Sequence, residues 1–380
     1  MISPTQLGEP TESQAKVGLF PSYPVSHSPG AVTIEQADPR EYRADVVRLF
    51  EQDGKTDFRN QFDWYYRNRG QQTPYSWLLR GQDGRIQGLI SVTARPLRFG
   101  GMPIRAGITG NLIVDRKSGI YFGASSLVRA AQSLVNNHSV DVLLGIPNEF
   151  SQRVFRRLKF RTLDRWRTYA QLFRCRNLLV PRIGFPGVLA SPFLDLYADM
   201  RRLTHGYYRQ RSALTIVEIE EDRLNELQLE NWQHAKDQVV VASTCEYLQW
   251  RFLRCPSKQY SISGVQTESG EICGYLVLRH TPGRLWIVDC EVDASRLTKS
   301  EAIVCFCRHC KAGVDSVWVP SLRSSVLSKN LAARGFVSVS ASIGGYPDYP
   351  LVGFWSDEHP LANIFSQASS WDLLPGFNDV

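Results

Sequence analysis

The sequence predicts an α/β protein made of two similar units in tandem. Three observations lead there. Short apolar runs bounded by turn residues alternate with segments of helical period along the chain. A tryptophan–glycine pair recurs at one spacing: Trp64 stands 24 residues before Gly88, and Trp250 stands 24 before Gly274. Residues 325–336 (SVLSKNLAARGF) echo residues 149–160 (EFSQRVFRRLKF). Self-similarity on this scale is the mark of an internal duplication.

Length and composition fit that reading. The chain has 380 residues, comfortable for two cores, and its 43% apolar and 21% charged content is that of a soluble globular protein. No apolar run approaches the roughly 18 residues of a membrane span, and no secretory leader stands at the start. Eight unevenly spaced cysteines read as reduced thiols of a cytoplasmic protein. Net charge is +7, and it is concentrated. Residues 151–211 hold 14 Lys+Arg against 3 Asp+Glu, a balance of 14 − 3 = +11, and 13 of the 14 are arginine. Arginine forks suit phosphate and carboxylate. No nucleic-acid motif accompanies them, so DNA is not an expected partner.

Residues 1–31 have no sustained period and read as a disordered tail. A strand over 32–35 follows. Asp38, Pro39 and Glu41 then open a helix whose apolar stripe is Tyr42, Val46 and Leu49 or Phe50. A short helix is expected over 62–66. Strands over 76–80 and 86–96 join at Gln82-Asp83-Gly84, and Gly100-Gly101 makes the next turn. A strand over 104–114 carries Gly107 and Gly110, which signal a bulge or the close approach of a ligand. The period predicts a helix over 119–136 with Leu127, Ala131, Leu134 and Val135 inward. Residues 140–146 read as a buried strand. Asn148 caps a helix whose Phe150, Val154 and Leu158 share a face, and a strand begins at Thr162. Residues 175–213 form an Arg/Pro-rich linker with a helix over 194–208. The second unit opens with a strand over 214–219 and a helix over 224–235.

Asn148, Ser151, Phe155, Leu158 and Phe160 resemble the fourth helix of the GNAT (GCN5-related) acyltransferase superfamily. That pattern runs Asn, two residues, Ala, three residues, Tyr, two residues, Leu-Gly-Phe. This chain departs from it at Ser151, Phe155 and Lys159. Phe62-Asp63-Trp64-Tyr65-Tyr66, Gly145-Ile146-Pro147-Asn148, Trp250-Arg251-Phe252 and the tail from Trp371 to Gly376 resemble motifs of GNAT-like proteins from bacterial exopolysaccharide gene clusters. The resemblance implies two tandem GNAT-like domains, 32–174 and 214–380, each a mixed, mostly antiparallel sheet flanked by helices. It also implies acetyl-CoA or another acyl-CoA as co-substrate. The acceptor would be a small-molecule or sugar-linked amine, such as an envelope precursor.

In that family the pyrophosphate lies on backbone amides where the fourth strand meets the third helix, on Gln/Arg-x-x-Gly-x-Gly/Ala. Here Arg116-x-x-Gly119-x-Tyr121 breaks the last position, and Gly123-Ala124-Ser125 offers small residues one turn later. The implied cofactor residues are Ile113, Val114, Arg116, Gly119, Gly123, Ala124, Ser125, Asn148 and Phe155. Phe155 stands where the family keeps an acid tyrosine and holds no transferable proton. Tyr121, Glu149 and Tyr169 are the alternatives nearby. In the second unit the corresponding junction carries Glu291 and Asp293 and no glycine, so it is expected to repel a pyrophosphate. Cys305, Cys307, His309 and Cys310 suggest a metal cluster, but on a helix Cys305 and Cys307 point about 200° apart, so no metal site is assigned. Two other readings stay open: a FemAB-like transferase using aminoacyl-tRNA, and a non-catalytic GNAT-fold protein of polysaccharide assembly.

Overall fold

The computed structural model describes residues 23–25, 32–66, 74–118, 120, 122–177, 180, 184–204, 214–310 and 313–377. A mixed sheet with helices on its faces organises them. Its first part runs β1 (Tyr23–Val25), β2 (Val32–Gln36), β3 (Tyr75–Arg80), β4 (Ile86–Phe99), β5 (Met102–Val114) and β6 (Val142–Gly145). All these pairs are antiparallel except β5–β6, which is parallel. Between the strands come α1 (Arg43–Gln52), α2 (Phe58–Tyr66), α3 (Gly123–Asn136) and α4 (Glu149–Arg157), and β7 (Arg161–Leu172) follows. β1 is a correction to the expected disordered tail: its three residues pair with β2.

The later part of the chain follows. It has β8 (Thr215–Ile219), β9 (Val239–Val241), α6 (Cys245–Leu248) continued by a π turn (Gln249–Leu253), β10 (Tyr260–Gln266), β11 (Ile272–Thr281) and β12 (Arg284–Val292). Then come α7 (Lys299–Cys310), β13 (Ser316–Leu322), α8 (Val326–Ala333), β14 (Val337–Val339), β15 (Pro350–Phe354) and α9 (Ala362–Phe365). The long helix α5 (Phe185–Thr204) joins the two parts. It starts nine residues before the predicted 194, because Pro192 lies inside it rather than ahead of it. The helix predicted over 224–235 is instead two 3-10 turns, Glu221–Leu227 and Leu229–Asn231, parted by Gln228 in the left-handed region at φ 45°.

Matching positions carry matching contacts. Gly88 pairs with Val114 at the end of β5, and Gly274 pairs with Val292 at the end of β12. A Cβ on Gly88 would meet Ile113 O at 3.1 Å, and one on Gly274 would meet Glu291 O at 3.4 Å. Asn148 caps α4 and Ser325 caps α8 through their side-chain oxygens. Both helices end in a left-handed residue, Lys159 at φ 62° and Gly335 at φ 86°. The following amides then reach back alike: Phe160 N to Phe155 O and Phe336 N to Leu331 O, each 3.1 Å. Trp64 and Trp250 stack with centroids 5.0 Å apart, and each indole N–H donates to the other's carbonyl, at 2.9 and 3.0 Å. Such reciprocity is what a two-fold axis imposes on a contact.

The two parts also exchange strands. Beyond β6 the sheet order is β15, β7, β13, β12, β11, β10, β8. β15 thus fills the space between β6 and β7, and β7 pairs with β13.

Candidate functional site: a cleft where two parallel strands part

β5 and β6 stay paired from Ala106–Val142 to Thr109–Gly145 and then separate. Pro147 has no N–H to continue the ladder, and Asn148 starts α4 by accepting from the amides of Phe150 and Ser151 at 3.1 and 3.0 Å. Among the described residues β5 runs on to Val114 without a partner strand on that side. Its other edge carries a bulge: Leu89 pairs with Ile113 and Ser91 with Gly110, so Asn111 and Leu112 stand opposite Ile90 alone. Asn111 takes the left-handed φ of 52° there. Its side chain donates to the Tyr66 hydroxyl at 3.3 Å, which contacts Ser91 Oγ at 2.8 Å. Gly107 and Gly110 thus both precede the bulge, which sits on non-glycine residues.

The parting leaves a cavity of about 290 Å³, lined by Thr109 to Leu112, Ile146 to Asn148, Ser151, Phe155, Lys55, Tyr346 and Tyr349. Gly145 has to be glycine, since a Cβ there would lie 2.5 Å from Thr109 Oγ1 and 3.1 Å from Phe155. Phe155 is buried and packs edge-on against Phe160. Phe150 is a correction: it is 80% exposed under the Arg116 guanidinium, and Phe155 takes the inward place.

α3 begins at Gly123, against the end of β5 and later than the predicted 119. Its cap position is Phe122, with no side-chain cap, so the amides of Ala124 and Ser125 have no partner of the kind a cap supplies. Gly123 is a correction of role. Its N–H contacts Ile120 O at 3.5 Å, and a Cβ would sit 2.8 Å from Leu79 Cδ2, so packing demands this glycine. Arg116 pairs with Asp53 at 3.0 Å and is well exposed. Ile113 is buried and Val114 half-buried at the end of β5. Gly119 and Tyr121 lie outside the described residues. Glu149 is exposed in the first turn of α4 and lines no part of the cavity. Tyr169 is buried among Val319, Phe336 and neighbours in the later part's core, away from the cleft.

Two tyrosines that sequence reasoning missed do line the cavity. Tyr346 and Tyr349 arrive from the segment before β15, placed by the strand exchange. The Tyr346 amide donates to Thr168 Oγ1 at 2.7 Å. Burial pushes its phenol up to about 12, so it holds its proton at neutral pH. A second cavity of about 200 Å³ shares Lys55 and Asn111 with the first. Its wall includes Trp64, Arg251, Ser257 and Lys258, and no acidic side chain lines it among the described residues. Arg251 is buried and stacks over Trp64 and Phe252. Lys258 sits exposed at the rim, where lost hydration, then Arg251 and Arg279, push its ammonium down to about 8. The two aromatic motifs of the sequence, around Trp64 and Trp250, therefore meet here.

The later part has its own cavity, of about 350 Å³, where β12 leaves β13. Buried Lys299 fills one wall, 2.8 Å from Glu291 and 3.0 Å from Asp372. Burial alone would push Lys299 down, but Asp372 and Glu291 outweigh it and hold the proton on. Glu291 is therefore neutralised, a correction to the expected repulsion. α7 is closed by its own box: the Thr298 amide donates to Glu301 Oε2 at 2.8 Å, and the Glu301 amide to Thr298 Oγ1 at 3.3 Å. On α7 the Cys305 thiol donates to Leu214 O and Cys310 to Cys307 O. Among the described residues no three His, Cys, Asp or Glu side chains converge to hold a metal ion.

No protein-family model matches this sequence, and no curated protein is significantly similar to it. Solved structures are similar in fold. A conserved protein of unknown function from Enterococcus faecalis V583, called a probable N-acyltransferase, aligns at TM-score 0.58 and 14% identity, over 85% of this chain and 72% of that one. A GCN5-related N-acetyltransferase from Anabaena variabilis ATCC 29413 aligns at TM-score 0.55 and 10% identity, over 85% and 72%. A third, from Kribbella flavida, aligns at 0.52 and 8%, over 84% and 70%. At these identities the likeness concerns the fold: the chain folds as GCN5-related N-acetyltransferases do.

Proposed function

We propose that this protein is an acyl-CoA-dependent N-acyltransferase acting on an amine of a sugar or envelope precursor. The observation that carries the reading is the parting of β5 and β6, with an uncapped helix start packed against the end of β5. The cavity suits an extended thioester arm, and open amides at α3 suit its pyrophosphate. The residues present fit that group: Ala124 and Ser125 for phosphate, and the unpartnered edge of β5 for amide contacts to the arm. Bound there, an acyl-CoA would supply an acyl group on a thioester. Amides on the edge of β5 that β6 leaves would polarise a carbonyl lying against them. Tyr346, protonated at neutral pH, would give its proton to the departing thiolate in place of the missing tyrosine at 155, and would regain one from the acceptor amine as the C–N bond replaces the C–S bond. The acceptor enters from the neighbouring chamber, where Arg251, Lys258 and Lys55 favour one that carries an anionic group. We further infer a duplication, with units at 32–174 and 214–380, on the reciprocal tryptophan contact and the matched glycines.

Titration calorimetry with acetyl-CoA and longer acyl-CoAs tests the reading. The expected result is one site per chain, weakened about tenfold by Ala124→Asp. A FemAB-like transferase is the second reading, favoured by the +11 balance of residues 151–211. It predicts binding of aminoacyl-tRNA and no heat with any acyl-CoA.

A further inference from the structure

Helix α5 turns an apolar face to solvent. Phe185, Leu189, Phe193, Leu196, Met200 and Leu203 follow one another at steps of four, four, three, four and three residues. At about 100° per residue they fall within about 80° of arc. Their exposures are 71, 60, 76, 59, 56 and 68%, so the whole stripe is bare among the described residues. The opposite side is docked. Ser191 and Ala198 are buried there, and the Asp195 carboxylate accepts from the Cys175 amide at 2.6 Å. This inverts the usual surface helix, whose apolar stripe faces the core.

Charge and area select the partner. Helix α5 is itself balanced, Asp195 and Asp199 against Arg201 and Arg202, and the positive charge lies ahead of it, where Arg174 and Arg176 stand exposed. A second copy would bring the same positive charge. A strip about 10 Å wide and 30 Å long covers about 300 Å², well short of the roughly 800 Å² per partner of a stable interface. An anionic lipid surface meets both features, because it takes apolar side chains among its upper acyl chains and basic ones on its headgroups. Among the described residues no helix is long and apolar enough to cross a membrane, so α5 would lie in the plane. We propose that α5 is an interfacial membrane helix that docks this protein on anionic lipid. The inference stands apart from the acyl-transfer reading, since none of these residues lines a cavity named above.

Sedimentation of the full chain with phosphatidylcholine vesicles, with and without phosphatidylglycerol, tests it. The protein should pellet with the mixed vesicles, less with the neutral ones, and progressively less as salt rises. The combined variant Leu189→Ser, Phe193→Ser and Leu196→Ser should lower partitioning by about tenfold or more. These side chains are exposed, so its thermal unfolding should match the parent. Phe193→Ser alone should give a smaller loss in the same direction, and Arg174→Gln with Arg176→Gln should flatten the salt dependence. Undiminished pelleting of the triple variant overturns the proposal. So does failure of the parent to pellet with anionic vesicles. A dimer in analytical ultracentrifugation that the triple variant abolishes, without lipid binding by the parent, assigns the face to a second copy instead.

Discussion

In the first half β5 leaves β6 after Thr109 and opens about 290 Å³; in the second β12 leaves β13 after Trp286 and opens about 350 Å³. The backbone event is the same, but the contents differ. The first cleft has neutral walls apart from Lys55, and the helix that follows β5 has an uncapped start. The second has a helix start closed by Thr298 and Glu301, and an ion cluster centred on Lys299. Cavity size therefore does not identify the working site. What separates the two is whether the polar groups at the opening have already found partners within the chain.

The comparison breaks most visibly at Lys299. Lys299→Met should strand Glu291 and Asp372 in the interior and cost about 3–5 kcal/mol of stability, read by chemical denaturation. Acyl-CoA affinity of the folded fraction should not change. Parent-like stability would mean the cluster is not what closes the second cleft. Tyr346→Phe comes next. It should lower kcat by about 10²-fold while leaving the KM for acyl-CoA unchanged, and an unchanged kcat would remove Tyr346 as the acid. Ala124→Asp should weaken acyl-CoA binding by about tenfold through charge at the helix start. Gly123 is the wrong place for this test, because its substitution meets Leu79 first.

The smallest effect concerns pH in the chamber. Lys258 is charged below about 8 and neutral above it. Binding of pyrophosphate, followed by calorimetry, should therefore weaken a few-fold from pH 7 to 9. Stability carries the opposite sign. The unfolded chain keeps this proton up to its ordinary value of 10.5, so native stability rises with pH between about 8 and 10.5. A flat binding profile would show that Lys258 does not hold the anion.

Much of the fold was legible because its signals are local. Asn148 before a helical period marked α4, and Gly100-Gly101 marked the β4–β5 turn. Strand partnership was not legible. Nothing in residues 350–354 says that they pair with β6 and β7 rather than within their own unit. For the same reason Tyr346 and Tyr349 escaped notice, since they stand almost 200 residues from Asn148 in a stretch without period. Tyr169 misled because a buried tyrosine near a motif looks the same in sequence on either side of a sheet. Phe150 misled because four-residue spacing defines a face without saying which way it turns.

The exchange of β15 bears on how the chain is made. Strands β6 and β7 leave the ribosome with a gap between them that residues 350–354 must fill. Some 350 − 172 = 178 residues separate the end of β7 from that strand. At about 5–20 residues per second, the unpaired edges wait about 10–35 s during synthesis. The nascent first half should therefore be a client of chaperones or proteases until the last strand arrives. Truncation anywhere before β15 should leave an aggregating chain rather than a working amino-terminal half.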